Sequence, residues 1–282
     1  MSAPEMSSHG PVALGDVLRY WRGVRGMSQL ALASEAMTTP RYVSFVETGR
    51  SRPSREMVQR LARALDVPLR ERNDLLVAAG YAPRYTAAAF GAPELDRVEA
   101  ALGALLAQHE PFPAVVMDRG WDVVRANTGA GSLFGRLLAP APLPEPANLL
   151  RLMIEPGPVR DAVANWPEVV PALLDRARRE AVGGVLDPAT AALVSELRAR
   201  PEVARLLARP GTEVAAPVPV IDIAFRLDGD VLRFFSVVST IGTPVDVTAQ
   251  EVRLEALFPS DDATRSTWLR QAGGPVHPDA DM

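Results

Sequence analysis

Between residues 14 and 79 the sequence is cut into helical-period segments, each closed by a glycine or a polar turn. Helices of roughly ten residues are marginal alone in water, so these can hold only by packing their apolar stripes on one another. The chain must therefore open as a bundle of short helices. In the first, Leu14, Val17, Leu18, Trp21 and Val24 recur at helical spacing and Gly26 ends the run. Ser28 caps a second helix bearing Leu30, Leu32 and Ala33. Thr39 caps a third, over 40–48, with Pro40 at the first helical position, where its missing N–H costs nothing. Ser54 caps a fourth with Met57, Val58, Leu61, Ala62 and Leu65 on one face, and residues 69–79 make a fifth.

The third segment carries the chemistry. At about 100° per residue, Ser44, Phe45 and Thr48 fall within about 60° of Arg41, while Val43 and Val46 face the core. The outward face thus presents an arginine, two hydroxyls and a large aromatic ring, a set suited to a DNA major groove. There a phenyl ring packs on thymine methyls and a guanidinium pairs with guanine. Glu47 lies on the inward shoulder, where a carboxylate needs a partner, and Arg22 on the first helix is the natural one. That pair reads as structural. Charge agrees: residues 14–80 hold 11 arginines against 7 acidic residues, a net of +4, whereas the rest holds 19 against 27, a net of -8. A basic head on an acidic body suggests nucleic-acid contact through the head alone.

A short second helix, a tight turn and an outward-facing third helix describe a helix-turn-helix. The ordered set Arg22, Ser28-Gln29, Leu32-Ala33, Val43, Val46-Glu47, Gly49 and Arg52-Pro53-Ser54 resembles the Cro/repressor-type, or XRE, DNA-binding family. Met37 departs from it, standing where the family usually has glycine in the turn. The resemblance implies that Gln29 touches a phosphate or base edge. It assigns base reading to Pro40, Arg41 and Phe45, with Thr39, Tyr42 and Ser44 flanking, and phosphate contacts to Arg50 and Arg52. It also implies a homodimer on a palindromic operator.

Gly80-Tyr81-Ala82-Pro83 stops the helical run, and the stretch to 93 is Ala/Gly/Pro-rich. The expected organisation is a helix-turn-helix domain over 12–80, a linker over 81–93 and a second domain over 94–270, with flexible termini at 1–11 and 271–282. In the second domain, a helix over 94–108 precedes two short strands, 113–117 and 121–126, joined by Asp118-Arg119-Gly120. Helices follow at 127–138, 158–181 and 187–208. Strands at 220–227 and 231–239 flank the hairpin signal Asp228-Gly229-Asp230, and a last strand covers 252–258. The proline-rich stretch 140–148 is a loop within this domain. Overall the fold class is α+β: an all-α five-helix head and an α+β domain with an antiparallel sheet.

That order is similar to a PAS-like sensor. The residues Trp121-Asp122-Val123, Asn127, Asn148-Leu149-Leu150-Arg151, Asn165-Trp166, Asp187, Glu196-Leu197, Pro201-Glu202-Val203, Phe234-Phe235 and Leu254–Pro259 resemble the ligand-binding domain of MmyB-like regulators. The resemblance implies an apolar cavity between sheet and helices and a fatty-acid-like ligand. Trp121, Leu150, Met153, Phe225, Phe234 and Phe235 are the candidate lining, and Arg151 the candidate holder of a carboxylate, with Asp161 or Glu155 as its other partners. A second reading makes this domain a protein-interaction or dimerisation module with no small molecule.

Composition removes other classes. The chain has no cysteine, and all 30 basic residues are arginine, so disulfides, thiolate sites and lysine chemistry are excluded. His9, His109 and His277 have no zinc-ligand spacing, so no metal or cofactor is expected. Gly129, Gly131 and Gly135 follow a strand, but their G-x-G-x-x-x-G spacing is one residue too long for a dinucleotide loop. No G-x-S-x-G elbow accompanies His109, so no catalytic residue is nominated. No apolar run reaches membrane-spanning length and the start MSAPEMSSHG lacks a secretory pattern, so a cytoplasmic protein without membrane contact is expected.

Overall fold

The computed structural model describes residues 13–179, 188–209, 220 and 222–271. The expected terminus 1–11, the expected terminus 271–282 beyond Gln271, and the expected helix ends around Asp187 lie outside the described residues. The described chain divides into two compact units: residues 13–89 with 188 and 243–250, and residues 90–179, 189–209, 220, 222–242 and 251–271.

The first unit is a five-helix bundle: α1 (Leu14–Val24), α2 (Gln29–Glu35), α3 (Pro40–Glu47), α4 (Arg55–Ala64) and α5 (Leu69–Ala78). The caps read from the sequence form. Ser28 accepts from the Ala31 N–H, Thr39 from Tyr42 and Ser54 from Met57, each satisfying an orphan first-turn donor. Leu18, Trp21, Leu32, Val43, Val46, Val58, Leu61 and Leu75 form one core. α1 crosses α3 so closely that a Cβ built on Gly15 would lie 2.2 Å from the Glu47 carbonyl oxygen.

The α2–α3 turn places Met37 at φ 49° with its side chain 75% exposed. An L-residue held left-handed costs about 1–2 kcal/mol, and this one gains almost no burial in return. Met37→Gly is therefore expected to stabilise the bundle by roughly 0.5–1 kcal/mol, after allowing for glycine's larger unfolded-state entropy. The check is the denaturant midpoint, which should rise with an unchanged m-value.

The second unit is built on one antiparallel sheet in the order β2-β1-β5-β4-β3. Its elements run α6 (Asp96–Gln108), β1 (Ala114–Met117), β2 (Val123–Ala126), α7 (Thr128–Leu138), α8 (Leu149–Ile154), α9 (Pro158–Ala162), α10 (Trp166–Arg179), α11 (Pro188–Ala199) and α12 (Pro201–Leu207). Then come β3 (Ile223–Leu227), β4 (Asp230–Thr240), α13 (Val247–Glu251, shared with the first unit), β5 (Arg253–Pro259) and α14 (Asp262–Gln271). Strand alternation sorts the side chains. Ala114, Val116, Leu254 and Ala256 pack with Leu102 and Leu106 of α6 on one face, while Val115, Met117, Phe225 and Phe234 join a larger core of helices on the other. The β3–β4 hairpin turns on Asp228 (φ 51°) and Gly229 (φ 90°), the left-handed pair that a two-residue turn requires.

Several expectations need correction. The helix expected over 158–181 breaks into α9 and α10, because Val163 leaves it to bridge Phe225 and Asn165 grips β3. Asn165 Nδ2 donates to the Asp222 carbonyl at 2.8 Å and its Oδ1 accepts from the Ala224 N–H at 3.0 Å. The helix expected over 187–208 breaks at Arg200, whose extended backbone precedes Pro201. α8 and α14 were not anticipated as helices; each has an N-terminal side-chain cap, Asn148 on the Arg151 N–H and Asp261 on the Thr264 N–H. His109 follows the last residue of α6. It is half-buried, its ring 4.7 Å from Phe258 and its Nε2 2.8 Å from the Leu257 carbonyl.

Candidate nucleic-acid face and ligand cavity

In the bundle, α3 turns Val43 and Val46 into the core and leaves Thr39, Pro40, Arg41 and Thr48 exposed, with Tyr42, Ser44 and Phe45 half-buried. The Arg41 guanidinium lies 5.2 Å over the Phe45 ring. This contact holds two otherwise independent side chains together as one edge, a cation over an aromatic face. Arg50, just after α3, is exposed. Arg52 is also exposed, yet its Nη2 reaches the Ala79 carbonyl at 3.4 Å, so part of its donor fork serves the end of α5.

The back of α3 is fixed by a charged cluster. Arg22 Nε donates to Glu47 Oε1 at 2.7 Å, Arg22 Nη2 to Oε2 at 3.2 Å, and Arg22 Nη1 to the Met27 carbonyl at 3.0 Å. The hydrogen bond to Glu47 holds the Arg22 guanidinium above its ordinary pKa. Gln29 also belongs here: its Nε2 donates to Glu47 Oε2 at 2.8 Å. This engages one amide N–H of the half-buried Gln29. The cluster ties the first three helices together behind the outward face.

In the second unit a cavity of about 30 Å³ lies between the sheet and the helices. Trp121, Leu150, Met153 and Phe225 line it, joined by Phe134 and Leu173 among others. Pockets that hold drug-sized ligands measure about 300–1,000 Å³, so a molecule of that size enters only if lining side chains part. Trp121 is held at φ 70°, costly for a bulky residue. Its ring is packed between the guanidinium groups of Arg176 (4.9 Å) and Arg253 (5.0 Å). Arg176 in turn forms a two-pronged pair with Glu255, at 2.7 and 3.0 Å.

Two of the expected lining residues and the expected carboxylate holder stand elsewhere. Phe235 points to the opposite face of the sheet, where it stacks on Phe258 at 5.6 Å; adjacent strand residues cannot share a face. Phe234 is on the cavity's side of the sheet but sits edge-on to Trp268 in the solid core. Arg151 points away, donating to Glu196 at 2.9 Å and to Glu155 at 2.7 Å. Those carboxylates, Glu196 first, push the guanidinium pKa up, and Arg151 in return holds the Glu196 carboxyl below its usual range. Arg151 borders a separate groove of about 270 Å³ with Asn148 and Pro158, already neutralised by its own partners.

Glu255, Arg176 and Arg253 were missed. A signal existed for Glu255 and Arg253: alternation along β5 puts both on the side of Leu257 and opposite Leu254. Arg176 stands among the buried Leu173, Leu174 and Ala177 of α10, and only the tertiary fold supplies its partner.

A helix-turn-helix head joined to an α+β domain with an apolar cavity defines a class, the DNA-binding transcription regulators that carry a ligand-binding domain. Residues 18–72 match the helix-turn-helix family and residues 98–270 match the MmyB-like transcription regulator ligand binding domain. The chain belongs to the MmyB-like family. A search of the curated proteins finds no match. Among the described residues, no helix is long and apolar enough to cross a membrane.

Proposed function

We propose that this chain is a sequence-specific, cytoplasmic transcription regulator that binds its operator as a homodimer, with α3 in the major groove. The observation that carries this is the Arg41–Phe45 edge, exposed on a helix whose opposite side is locked by Arg22, Glu47 and Gln29. Arg41 pairs with guanine and Phe45 packs on thymine methyls, with Thr39, Pro40, Tyr42 and Ser44 beside them. Arg50 and the free part of Arg52 hold phosphates. An apolar molecule entering the cavity favours one of two pre-existing conformations, and operator affinity follows that shift. The lining by Trp121, Leu150, Met153 and Phe225 supports this second half.

Removing a base-reading arginine and removing a phosphate contact leave different signatures. Arg41→Ala is expected to weaken binding to a selected operator by about 1–3 kcal/mol while changing affinity for unrelated duplex much less. Arg50→Ala should weaken all duplexes about equally and reduce the salt slope of binding by about one ion. Titrations at several salt concentrations separate the two. An Arg41→Ala protein with undiminished preference for the operator removes that residue from base reading.

A further inference from the structure

The helical head is not built from one stretch of chain. Residues 243–250, from the connection between β4 and β5, belong to the same compact unit. They are buried there: Asp246 is 8% exposed, Val247 1% and Ala249 4%. Asp246 Oδ1 accepts from the Thr248 N–H at 2.8 Å and the Ala249 N–H at 3.2 Å, which caps the short helix α13. Its Oδ2 accepts from the Ala88 N–H at 3.1 Å, and the Val247 N–H donates to the Thr86 carbonyl at 2.8 Å. Gln250 Oε1 accepts from the Leu69 N–H at 2.7 Å. That N–H opens α5, whose N-cap is Pro68 and supplies no side-chain acceptor.

Asn73 of α5 grips the neighbouring residues of the expected linker. Its Oδ1 accepts from the Arg84 and Tyr85 N–H groups at 2.9 and 3.0 Å, and its Nδ2 donates to the Tyr85 carbonyl at 2.8 Å. Residues 84–88 are thus held by α5 at one end and by 246–247 at the other. Beyond Gln250 the chain runs straight into the sheet. Glu251 ends α13 and pairs with Arg119 at 2.9 Å, and only Val252 then precedes Arg253, the first residue of β5. Arg253 lies 5.0 Å over the ring of Trp121, which lines the cavity. A shift of β5 therefore reaches Asp246 and Gln250 through a few covalent bonds and one capped helical turn. We infer that residues 243–250 are a clasp: they complete the DNA-binding head by holding α5 and residues 86–88, and they carry movements of β5 to it.

The test is amide hydrogen exchange on the full-length protein, followed peptide by peptide by mass spectrometry. Asp246→Ala is expected to speed exchange about 10-fold or more over 84–90, the effect of losing a hydrogen bond to a charged group, while 29–48 and β1 keep their rates. Gln250→Ala, a milder change at a half-buried side chain, should speed exchange over 69–72. Arg119→Ala acts from the sheet. It should speed exchange over 84–90 in the otherwise unaltered chain and add nothing once Asp246→Ala has opened the clasp. Where Asp246→Ala fails to fold, Gln250→Ala and Arg119→Ala, each made alone, still decide. Unchanged exchange over 69–72 and 84–90 overturns the clasp, and so does exchange raised evenly along the whole chain. An Arg119→Ala effect as large with the clasp open as with it closed overturns the transmission from β5. None of these readouts involves DNA or a ligand, so failure of the clasp is told apart from failure of the regulator reading.

Discussion

Replacing Gly15 with alanine is expected to cost the helical head about 3 kcal/mol, the upper end for an overpacked core. The added Cβ would lie 2.2 Å from the Glu47 carbonyl oxygen and 2.7 Å from its carbon. Both atoms are backbone, so no side-chain rotation relieves the clash, and α1 must move away from α3. That movement draws Arg22 from Glu47, because their contact spans the same helix crossing. Alanine's better helix propensity offsets under about 1 kcal/mol of this. In a domain of this size each kcal/mol lowers the midpoint by roughly 4–8 °C, so thermal unfolding of the head should show a fall of roughly 8–24 °C. An unchanged midpoint would mean that α1 and α3 are not in the contact described.

Arg22→Ala should cost as much or more, about 3–5 kcal/mol, by a different route. Glu47 is 3% exposed and accepts from Arg22 and Gln29. Removing Arg22 leaves a buried carboxylate with the Gln29 amide as its remaining side-chain donor, and a neutral amide does not balance the charge. The loss is therefore mainly the penalty of an uncompensated charge, not the net worth of the pair. That origin can be tested: in Arg22→Met/Glu47→Met both charges go and similar volume is kept, so most of the lost stability should return. Chemical unfolding of the two variants measures the difference. A double variant no more stable than Arg22→Ala would show that the pair itself, and not its imbalance, holds α3.

The head was legible almost residue by residue because its information is local. Caps at Ser28, Thr39 and Ser54, the stop at Gly26 and the inward Val43 and Val46 each follow from a few neighbouring side chains. The Arg22–Glu47 pair was inferred from a buried position that needed a counter-charge, a rule that spans distance in sequence. Gln29 shows what local reading leaves out: at the first position of α2 it could face solvent or turn inward, and only the placement of Glu47 draws one of its N–H groups to the carboxylate.

The second domain was less legible because its determinants are tertiary. Most element positions followed from periodicity and turn residues, but the order of strands in the sheet did not, and the breaks at Val163–Asn165 depend on β3, some sixty residues further along the chain. The expectation that Phe234 and Phe235 both line a cavity conflicts with strand alternation, which the sequence already contained. Arg151 is a cation in the apolar stretch Leu149–Ile154 and was expected to hold a ligand carboxylate. Arg176 satisfies the same criterion and stands behind the cavity wall, whereas Arg151 sits on a helix edge facing Glu196. Composition could not separate the two arginines; their partners do.

Selection from a random pool of duplexes, with the full-length protein at one fixed salt concentration, measures most directly whether the exposed face of α3 reads DNA sequence. Enrichment of a single motif is expected, bound about 10³-fold or more tightly than unselected duplex. Within it, a guanine should be required by the unaltered chain and dispensable to Arg41→Ala. Recovery of duplexes with no common sequence, bound no better than the starting pool, would contradict it.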